Sequence, residues 1–217
     1  MHLLYEDLKQ KIVDVMKYLD EKGLNYGKAG NASIYVRSKG HIVITPSGLE
    51  KSKLTPSDIV VVDSKGMLIE GVHKPTSELP LHLEIYKNYP FNAVIHIHPV
   101  YTSVLAVLRE HLPPILEEMV MYTGGDVRVS EYAPYGTWDL ARKAVEALKD
   151  RSAVILANHG LVTCGRSIEE ALEVALVVER AAQIYVLARL LGSITLLPPS
   201  VIEHQKKIYK ERISVTE

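Results

Sequence analysis

Apolar and polar residues alternate along the chain with two periods, one typical of helices and one typical of strands. Apolar residues recur at helical intervals over residues 4–22 and Gly23 follows them, so the first element is expected to be an amphipathic helix. Two alternating runs, Ala32–Arg37 and His41–Thr45, then predict a β-hairpin. A short apolar run, Ile59–Val62, predicts a buried strand.

The middle of the chain carries a helix signal followed by a strand signal. A helix is expected to begin at Glu78, with Ser77 as its N-cap and Pro80 tolerated in the first turn. The run Ala93–His98 predicts a strand that ends at Pro99. The elements expected after it are a short helix over residues 100–109, a loop that holds Pro113, Pro114 and Gly124-Gly125, a helix at Trp138–Leu148 capped by Thr137, strands at Ala153–Ala157 and Leu161–Thr163, and a long, heavily buried helix near residues 168–191.

These elements imply one domain over residues 1–217, because no linker, repeat or low-complexity segment divides the chain. The length of 217 residues is sufficient to bury a sizeable core. Strand and helix signals alternate without a strict βαβ rhythm. The expected fold class is therefore α/β, with a mixed or mainly antiparallel sheet covered by helices rather than a doubly wound parallel sheet.

The composition and charge exclude several classes of protein. Apolar residues make up 47% and charged residues 24%, and the net charge of −1 argues against nucleic acid as a partner. A single cysteine, Cys164, excludes an intramolecular disulfide framework. Glu6 and Asp7 stand where a signal peptide needs basic residues, and no apolar run approaches the roughly 20 residues that span a bilayer. We therefore expect a cytoplasmic protein without a membrane partner.

The sharpest chemical signal is the pair His96 and His98 in the predicted strand. Residues two apart on a strand point to the same face, so both imidazoles project together while Ile95 and Ile97 face the other side. Two parallel imidazoles can bind one transition metal. The alternative is a pair of histidines on a half-exposed strand, and a bare His-x-His motif does not decide between the two.

His159 strengthens the metal hypothesis. It is predicted to lie at a strand end before Gly160, where the backbone can turn sharply and expose the imidazole. A third imidazole would give three protein ligands and one open position, as in catalytic metal sites. A plain turn histidine is the alternative, because sequence spacing alone cannot show that His159 meets His96. The other histidines, His82 among them, are expected at the surface or in supporting positions.

A second set of polar residues is typical of an anion site. The hydroxyls of Thr76 and Ser77 and the free N–H groups of a predicted helix start suit a phosphate, and Glu78 is close enough to act as a base or a metal ligand. The loops Gly30-Asn31 and Ser47-Gly48 are compatible with a backbone anion cradle or with plain turns. Glu78 would serve as a base only if burial or a changed charge balance raised its pKa towards neutrality.

Five ordered motifs resemble those of the class II aldolase/adducin family. They are Gly30-Asn31-Ala32-Ser33, Ile44-Thr45-Pro46-Ser47-Gly48, Pro75-Thr76-Ser77-Glu78, His96-Ile97-His98 and Asn158-His159-Gly160-Leu161. The resemblance runs from the first helix to about residue 191. Five motifs at family-like separations are far more specific than any one of them.

The resemblance implies a fold, a reaction and a set of site residues. The fold would be a three-layer α/β/α sandwich around a mainly antiparallel sheet, in a homotetramer with active sites at subunit interfaces. The reaction would be metal-dependent cleavage of a ketose 1-phosphate, such as L-fuculose 1-phosphate, to dihydroxyacetone phosphate and an aldehyde such as lactaldehyde. His96, His98 and His159 would bind Zn²⁺ or another divalent cation. Glu78 would be the acid/base residue, and the substrate phosphate would be held by Gly30, Asn31, Ser47, Gly48, Thr76 and Ser77.

Two positions depart from the family's aldolase pattern. A tyrosine donated by a neighbouring subunit is expected six residues before Gly124-Gly125, where this chain has Glu118. We assign the nearest tyrosine, Tyr122, as the catalytic group that would stabilise the leaving alkoxide. An aromatic residue expected after Ala-Pro-Tyr is missing, because Tyr135 is followed directly by Gly136-Thr137. The metal and phosphate halves of the site match, and the aldehyde half is left open.

Other functions stay open at this point. A sugar-phosphate epimerase of the family usually has aspartate where Glu78 stands, whereas a dehydratase would take its acid from Glu117 or Glu118. A non-catalytic module like the adducin head would lack the metal site, so the retained histidines argue against it. A Schiff-base aldolase would need a buried lysine of lowered pKa, and nothing in the sequence singles one out. Tyr209, in the C-terminal tail, resembles a family tyrosine that can close over the site.

Overall fold

A single sheet of eight strands forms the centre of the structure, a computed structural model that describes residues 2–214, with side chains from Tyr5 onward. In chain order the strands are β1 (Asn31–Val36), β2 (His41–Ile44), β3 (Val60–Asp63), β4 (Leu68–Glu70), β5 (Ala93–Ile97), β6 (Arg128–Val129), β7 (Ala153–Leu156) and β8 (Gly160–Gly165). Across the sheet their order is β4-β3-β2-β1-β5-β8-β7-β6. Neighbours are antiparallel except β6 and β7, which are parallel. The predicted mixed, mainly antiparallel sheet is confirmed.

Helices cover both faces of this sheet. They are α1 (His2–Glu21), α2 (Leu79–Asn88), α3 (Val100–Leu108), α4 (Glu117–Thr123), α5 (Trp138–Leu148), α6 (Ile168–Leu191) and α7 (Pro199–Ser214). Ile95 and Ile97 of β5 pack into a core with α1, α3, α4 and α6. Val94, on the opposite face of β5, packs with α2 and α5. The three-layer α/β/α sandwich is therefore confirmed.

Most predicted elements lie where the hydrophobic pattern places them. The hairpin is formed by β1 and β2, with a short 3₁₀ turn between them. Thr137 caps α5 as expected, since its side chain accepts a hydrogen bond from the Leu140 N–H. None of the described helices is long and apolar enough to cross a bilayer.

The predicted start of α2 is wrong. The helix begins at Leu79, and Glu78 occupies the N-cap position without a capping side-chain hydrogen bond. Ser77 is not the cap, because the Leu79 N–H donates to the carbonyl of Thr76 at 3.1 Å and so closes a turn ahead of the helix. This turn leaves the Ser77 side chain exposed and buries Glu78.

The region predicted as a loop around Gly124-Gly125 contains helix α4 and strand β6. The C-terminal segment is likewise helical, as α7, which packs against α4. Tyr209 of α7 is buried, and its hydroxyl lies 2.9 Å from Ser152 Oγ. A Cβ at Gly124 would approach this ring to 2.5 Å, so a glycine is needed where α4 ends with a φ of +84°. Tyr209 is thus part of the packing between α7 and α4.

Candidate active site

His96, His98 and His159 converge on one point at the end of β5. The Nε2 atoms of His96 and His98 are 2.9 Å apart, and one ring nitrogen from each of the three residues lies within 4.8 Å of the others. In tetrahedral zinc sites, with Zn–N near 2.0–2.1 Å, the ligand nitrogens are about 3.4 Å apart. The three side chains could therefore hold a metal ion, and the separation of His159 from the pair does not exceed metal–ligand reach.

The sheet register explains this convergence. Strands β5 and β8 pair with Ile97 opposite Leu161, so the residue before β8 comes next to the residues that follow β5. The turn between β7 and β8 carries His159, and its Asn158 N–H donates to the carbonyl of Ala106 in α3 at 3.0 Å. Helix α3 is fixed in turn by Glu179, whose carboxylate accepts two backbone N–H bonds at the helix start.

The imidazoles of the cluster present Nε2 to one another or to Glu78. The Nδ1–H of His96 donates to the carbonyl of Leu161 at 3.0 Å, which orients the ring with Nε2 towards the cluster. Burial, together with the charge on His96, lowers the pKa of His98 to about 3 and that of His159 to about 4. Both rings are therefore neutral at pH 7, the form that ligates metals.

Glu78 faces this cluster from the start of α2. Its Oε2 is 3.1 Å from His96 Nε2, and its Oε1 is 3.6 Å from His159 Nε2. Oε1 is buried and has no hydrogen-bond partner among the described residues. A buried carboxylate oxygen without a donor, beside three imidazole nitrogens, fits a divalent cation as its missing neighbour.

The condition that burial or a changed charge balance raises the pKa of Glu78 is not met by the side chains of this chain alone. Burial on its own raises the pKa of Glu78, but the charge and hydrogen bond of His96, with smaller contributions from His159 and Asn31, hold it well below its ordinary value. The carboxylate is thus ionised here, as a base requires. His96 itself has a raised pKa, because the attraction of Glu78 exceeds the effect of burial.

A buried chain of hydrogen bonds fixes the orientation of Glu78. Asn31 Nδ2 donates to Glu78 Oε2 at 2.8 Å, and Asn31 Oδ1 accepts from His82 Nε2 at 2.5 Å. Ser33 Oγ lies 2.6 Å from His82 Nδ1 and 2.6 Å from the Tyr86 hydroxyl. Burial lowers the pKa of His82 to about 3, so the ring is neutral and donates through Nε2. His82, expected only in a surface or supporting position, holds Asn31 and through it the carboxylate.

Gly160 matters for a reason other than the predicted one. We expected a sharp backbone turn at this glycine, but Gly160 is the first residue of β8, and the left-handed residue of the turn is Asn158, with a φ of 55°. A Cβ at Gly160 would lie 2.5 Å from the carbonyl oxygen of Ile97 and 2.7 Å from the His98 ring. Glycine therefore makes room for the imidazoles of the histidine cluster.

One cavity of about 360 Å³ joins the histidines to the predicted phosphate residues. All six predicted phosphate residues line it together with Glu78, His98 and His159, and the six are Gly30, Asn31, Ser47, Gly48, Thr76 and Ser77. His96 is fully buried beside them. Gly30 has a φ of +74°, and its Cα is so close to the Asn25 amide that a Cβ would meet it at 2.5 Å. Two loops and the start of α2 therefore meet around one space that His98 and His159 also line.

Five further residues line the same cavity and were not singled out as site residues, and three of them, Lys28, Lys51 and Tyr135, have polar side chains. Tyr135 is 72% exposed and belongs to the Ala-Pro-Tyr motif, which the sequence resemblance contains. Lys28 is exposed on the glycine-rich loop. Lys51 is buried, although its position in a short polar segment predicts a surface residue. No sequence signal identifies Lys51.

The residues considered for the aldehyde half do not line this cavity within their own chain. Tyr122, the predicted catalytic tyrosine, lies in α4 with the Arg212 guanidinium 4.2 Å from its ring centre. Glu118 pairs with Arg180 at 2.8 Å, and Glu117 accepts a hydrogen bond from Gln205. A role for Tyr122 at the site of a neighbouring subunit stays a prediction.

Comparison with known proteins agrees with this geometry. The family model described as Class II Aldolase and Adducin N-terminal domain matches residues 10–186. The chain is 38% identical over 209 residues to the 5-deoxy-D-ribulose 1-phosphate aldolase of Bacillus thuringiensis serovar kurstaki, covering 96% of this chain and 98% of that protein. It is 36% identical over 204 residues to the 5-methylthioribulose-1-phosphate/5-deoxyribulose-1-phosphate aldolase of Rhodospirillum rubrum. This match covers 94% of this chain and 91% of that protein.

The agreement extends to three dimensions. A solved structure of an L-fuculose 1-phosphate aldolase matches with a TM-score of 0.90 and 40% identity, covering 94% of this chain and 96% of the other. The family match, the two near full-length relatives and the shared fold lead to the same conclusion. The chain belongs to the class II aldolase family, as an aldolase of the fuculose-phosphate and deoxyribulose-phosphate type.

Proposed function

We propose that this protein is a Zn²⁺-dependent aldolase that cleaves a ketose 1-phosphate into dihydroxyacetone phosphate and an aldehyde. The observation that carries the proposal is the single cavity in which the anion-binding loops, Glu78 and the histidine cluster meet. Three imidazoles with one position left open for a substrate oxygen are typical of catalytic zinc. A phosphate held at the loops would place the carbonyl end of a short sugar beside the histidines.

The names of the relatives narrow the substrate class. L-fuculose 1-phosphate, 5-deoxyribulose 1-phosphate and 5-methylthioribulose 1-phosphate share a phosphate at C1, a ketone at C2 and a chain that ends in a methyl or methylthio group. All three would release the same dihydroxyacetone phosphate half, and they differ only in the aldehyde. The predicted phosphate residues line one cavity, and the relatives' substrates share an apolar terminus, so we infer a ketose 1-phosphate with an apolar far end, L-fuculose 1-phosphate being one member.

The chain's own residues would bind the substrate and move a proton. Ser47, Thr76 and Ser77, with the N–H groups of the surrounding loops, would hold the phosphate. A divalent cation at the histidines would act as a Lewis acid that polarises the ketone and offsets the developing negative charge. Glu78, ionised in this structure, would accept the C4 hydroxyl proton as the C3–C4 bond breaks and return it to the hydroxymethyl carbon of the dihydroxyacetone phosphate half, and both transfers would run in reverse in the synthetic direction.

The dehydratase and the non-catalytic module gain no support from the contacts of the described residues. A dehydratase that used Glu117 or Glu118 would need one of them near the substrate, whereas within one chain both are engaged with residues outside the cavity. A non-catalytic module would have no use for the buried chain from Glu78 to Tyr86. The cytoplasmic location expected from the single Cys164 stays a prediction.

A product assay tests the proposal. Purified protein incubated with each of the three ketose 1-phosphates and added Zn²⁺ is expected to form dihydroxyacetone phosphate, detected by a coupled reduction. EDTA should abolish the activity and Zn²⁺ should restore it, because the reaction is proposed to need a bound cation. A Schiff-base aldolase, in contrast, would keep its activity in the chelator. Activity that persists in EDTA, or an epimerised or dehydrated product, would contradict the proposal.

We further propose that the active enzyme is a homotetramer. Val100, Val104, Val107 and Leu108 form an exposed apolar stripe on α3, and this stripe adjoins His98. An exposed apolar patch of this kind marks an interface, and a second copy covering it would border the metal site. Light scattering is expected to give a mass of four chains, and a monomer that is fully active would contradict the interface.

A further inference from the structure

Lys51 is a buried cation that the mechanism above does not use. Its side chain is among the largest that are fully buried, and the residue is only 1% exposed. Among the described residues, no carboxylate lies within ion-pair distance of its ammonium group. Burying a charged group without an opposite charge costs free energy, so we expect an anion to compensate the charge of Lys51.

The contacts of Lys51 lie in the two loops that form the phosphate half of the cavity. Its Nζ donates to the carbonyls of Lys28 at 3.1 Å and Leu49 at 3.0 Å, and its backbone N–H donates to the carbonyl of Gly27 at 2.8 Å. One loop leads into Gly30 and the other follows directly from Gly48. Lys51 therefore links the two loops that form the predicted phosphate site.

The charge on Lys51 is not balanced by the protein around it. Its ammonium has three N–H donors, and the contacts with Lys28 and Leu49 use two of them. Burial lowers the pKa of Lys51 to about 8, and a neighbouring dianion would raise it again. Glu78, which lines the same cavity, is already engaged by His96 and Asn31.

We propose that Lys51 is a specificity-determining residue, whose buried ammonium draws the two loops together and supplies the positive charge that selects phosphorylated over unphosphorylated substrates. This inference rests on the proposed function, because the anion is the substrate's phosphate. Lys51 lines the cavity beside the loops whose N–H groups would hold the phosphate. It belongs to the binding half of the site and contributes little to the proton transfer at Glu78.

The test compares charge with packing at this position. Lys51→Gln keeps hydrogen-bond donors for the two carbonyls and removes the charge, whereas Lys51→Arg keeps the charge. Lys53→Gln is the matched control, since Lys53 lies in the same short turn but is exposed and paired with Glu50 at 2.8 Å. Lys51→Met, which fills the space with an apolar chain, is the second variant should Lys51→Gln fail to fold.

Lys51→Gln is expected to raise KM for the ketose 1-phosphate and to weaken inorganic phosphate binding by about 10- to 100-fold each, the size expected for a lost charged hydrogen-bond partner. The value of kcat should change little, Lys51→Arg should restore most of the affinity, and Lys53→Gln should match the wild type. The value of kcat/KM for the unphosphorylated ketose should be unchanged, which a merely structural role would not allow.

Three results would overturn the inference. They are equal losses for phosphorylated and unphosphorylated ketoses, phosphate binding that survives in Lys51→Gln, and reductive trapping of substrate on Lys51 by borohydride, which would make it a Schiff-base lysine. Phosphate binding is measured by calorimetry and needs no turnover. If the wild type lacked aldolase activity, the proposed function would fail while the calorimetric comparison still decided the role of Lys51.

Discussion

Replacing Glu78 with glutamine is expected to lower kcat by about 10²- to 10⁴-fold, the usual contribution of a positioned acid/base group, while the metal stays bound. Glutamine has nearly the same shape, and its carbonyl oxygen can still accept the hydrogen bond from Asn31 Nδ2. The three imidazoles are unchanged, so metal analysis of the purified variant should match the wild type. The variant loses only the group that carries a proton to and from carbon.

Exchange of the dihydroxyacetone phosphate proton with deuterated water measures this step without any aldehyde. Exchange should fall in parallel with kcat in Glu78→Gln. Glu84→Gln is a suitable control, because Glu84 lies on the same helix α2 but pairs with Lys87 at the surface. Normal exchange in Glu78→Gln would assign the proton transfer to another residue.

The strand that presents the first two histidines could be predicted from sequence alone. The alternation of residues 93–98 fixes which side chains share a face, and in the structure Ile95 and Ile97 enter one core while Val94 enters the other. The hairpin and the Thr137 cap follow from equally local rules. Local periodicity and capping chemistry carry this information, so no knowledge of tertiary contacts is needed.

The parts that escaped prediction depend on tertiary contacts. Strand β6 has only two residues, and its single partner, β7, lies about 25 positions later in the chain, so no local pattern marks it. Helix α7 buries only Gln205 and Tyr209, and a helix with so small an apolar face depends on its neighbour for stability. Segments of this kind look like loops or tails in the sequence.

The candidate site likewise has features that the sequence predicts and features that depend on tertiary contacts. The residue types of the phosphate loops and the histidines are visible in the motifs, but the approach of His159 to His96 depends on the register of β5 against β8. The role of Gly160 is equally non-local, because the atoms that exclude a side chain there belong to residues 97 and 98. Lys51 becomes notable only once the loops that bury it are in place.

Replacing His159 with alanine is expected to weaken metal binding and to lower activity, each by at least about 100-fold, since even groups that only orient a ligand are worth 10- to 100-fold in affinity. His159 is the best ligand to remove, because its side chain is 17% exposed whereas that of His96 is fully buried. Water can fill the space, so the fold should survive. His204→Ala, at an exposed position of α7, is the matched control.

The His159 and Glu78 variants together distinguish metal binding from proton transfer. Metal titration followed by a turnover assay should show His159→Ala poor in both metal and activity, and Glu78→Gln poor in activity alone. Excess Zn²⁺ should recover part of the activity of His159→Ala, because two imidazoles remain, and none of the activity of Glu78→Gln. If His159→Ala bound the metal as tightly as the wild type, the cation would sit elsewhere, and the open coordination position beside Glu78 would lose its basis.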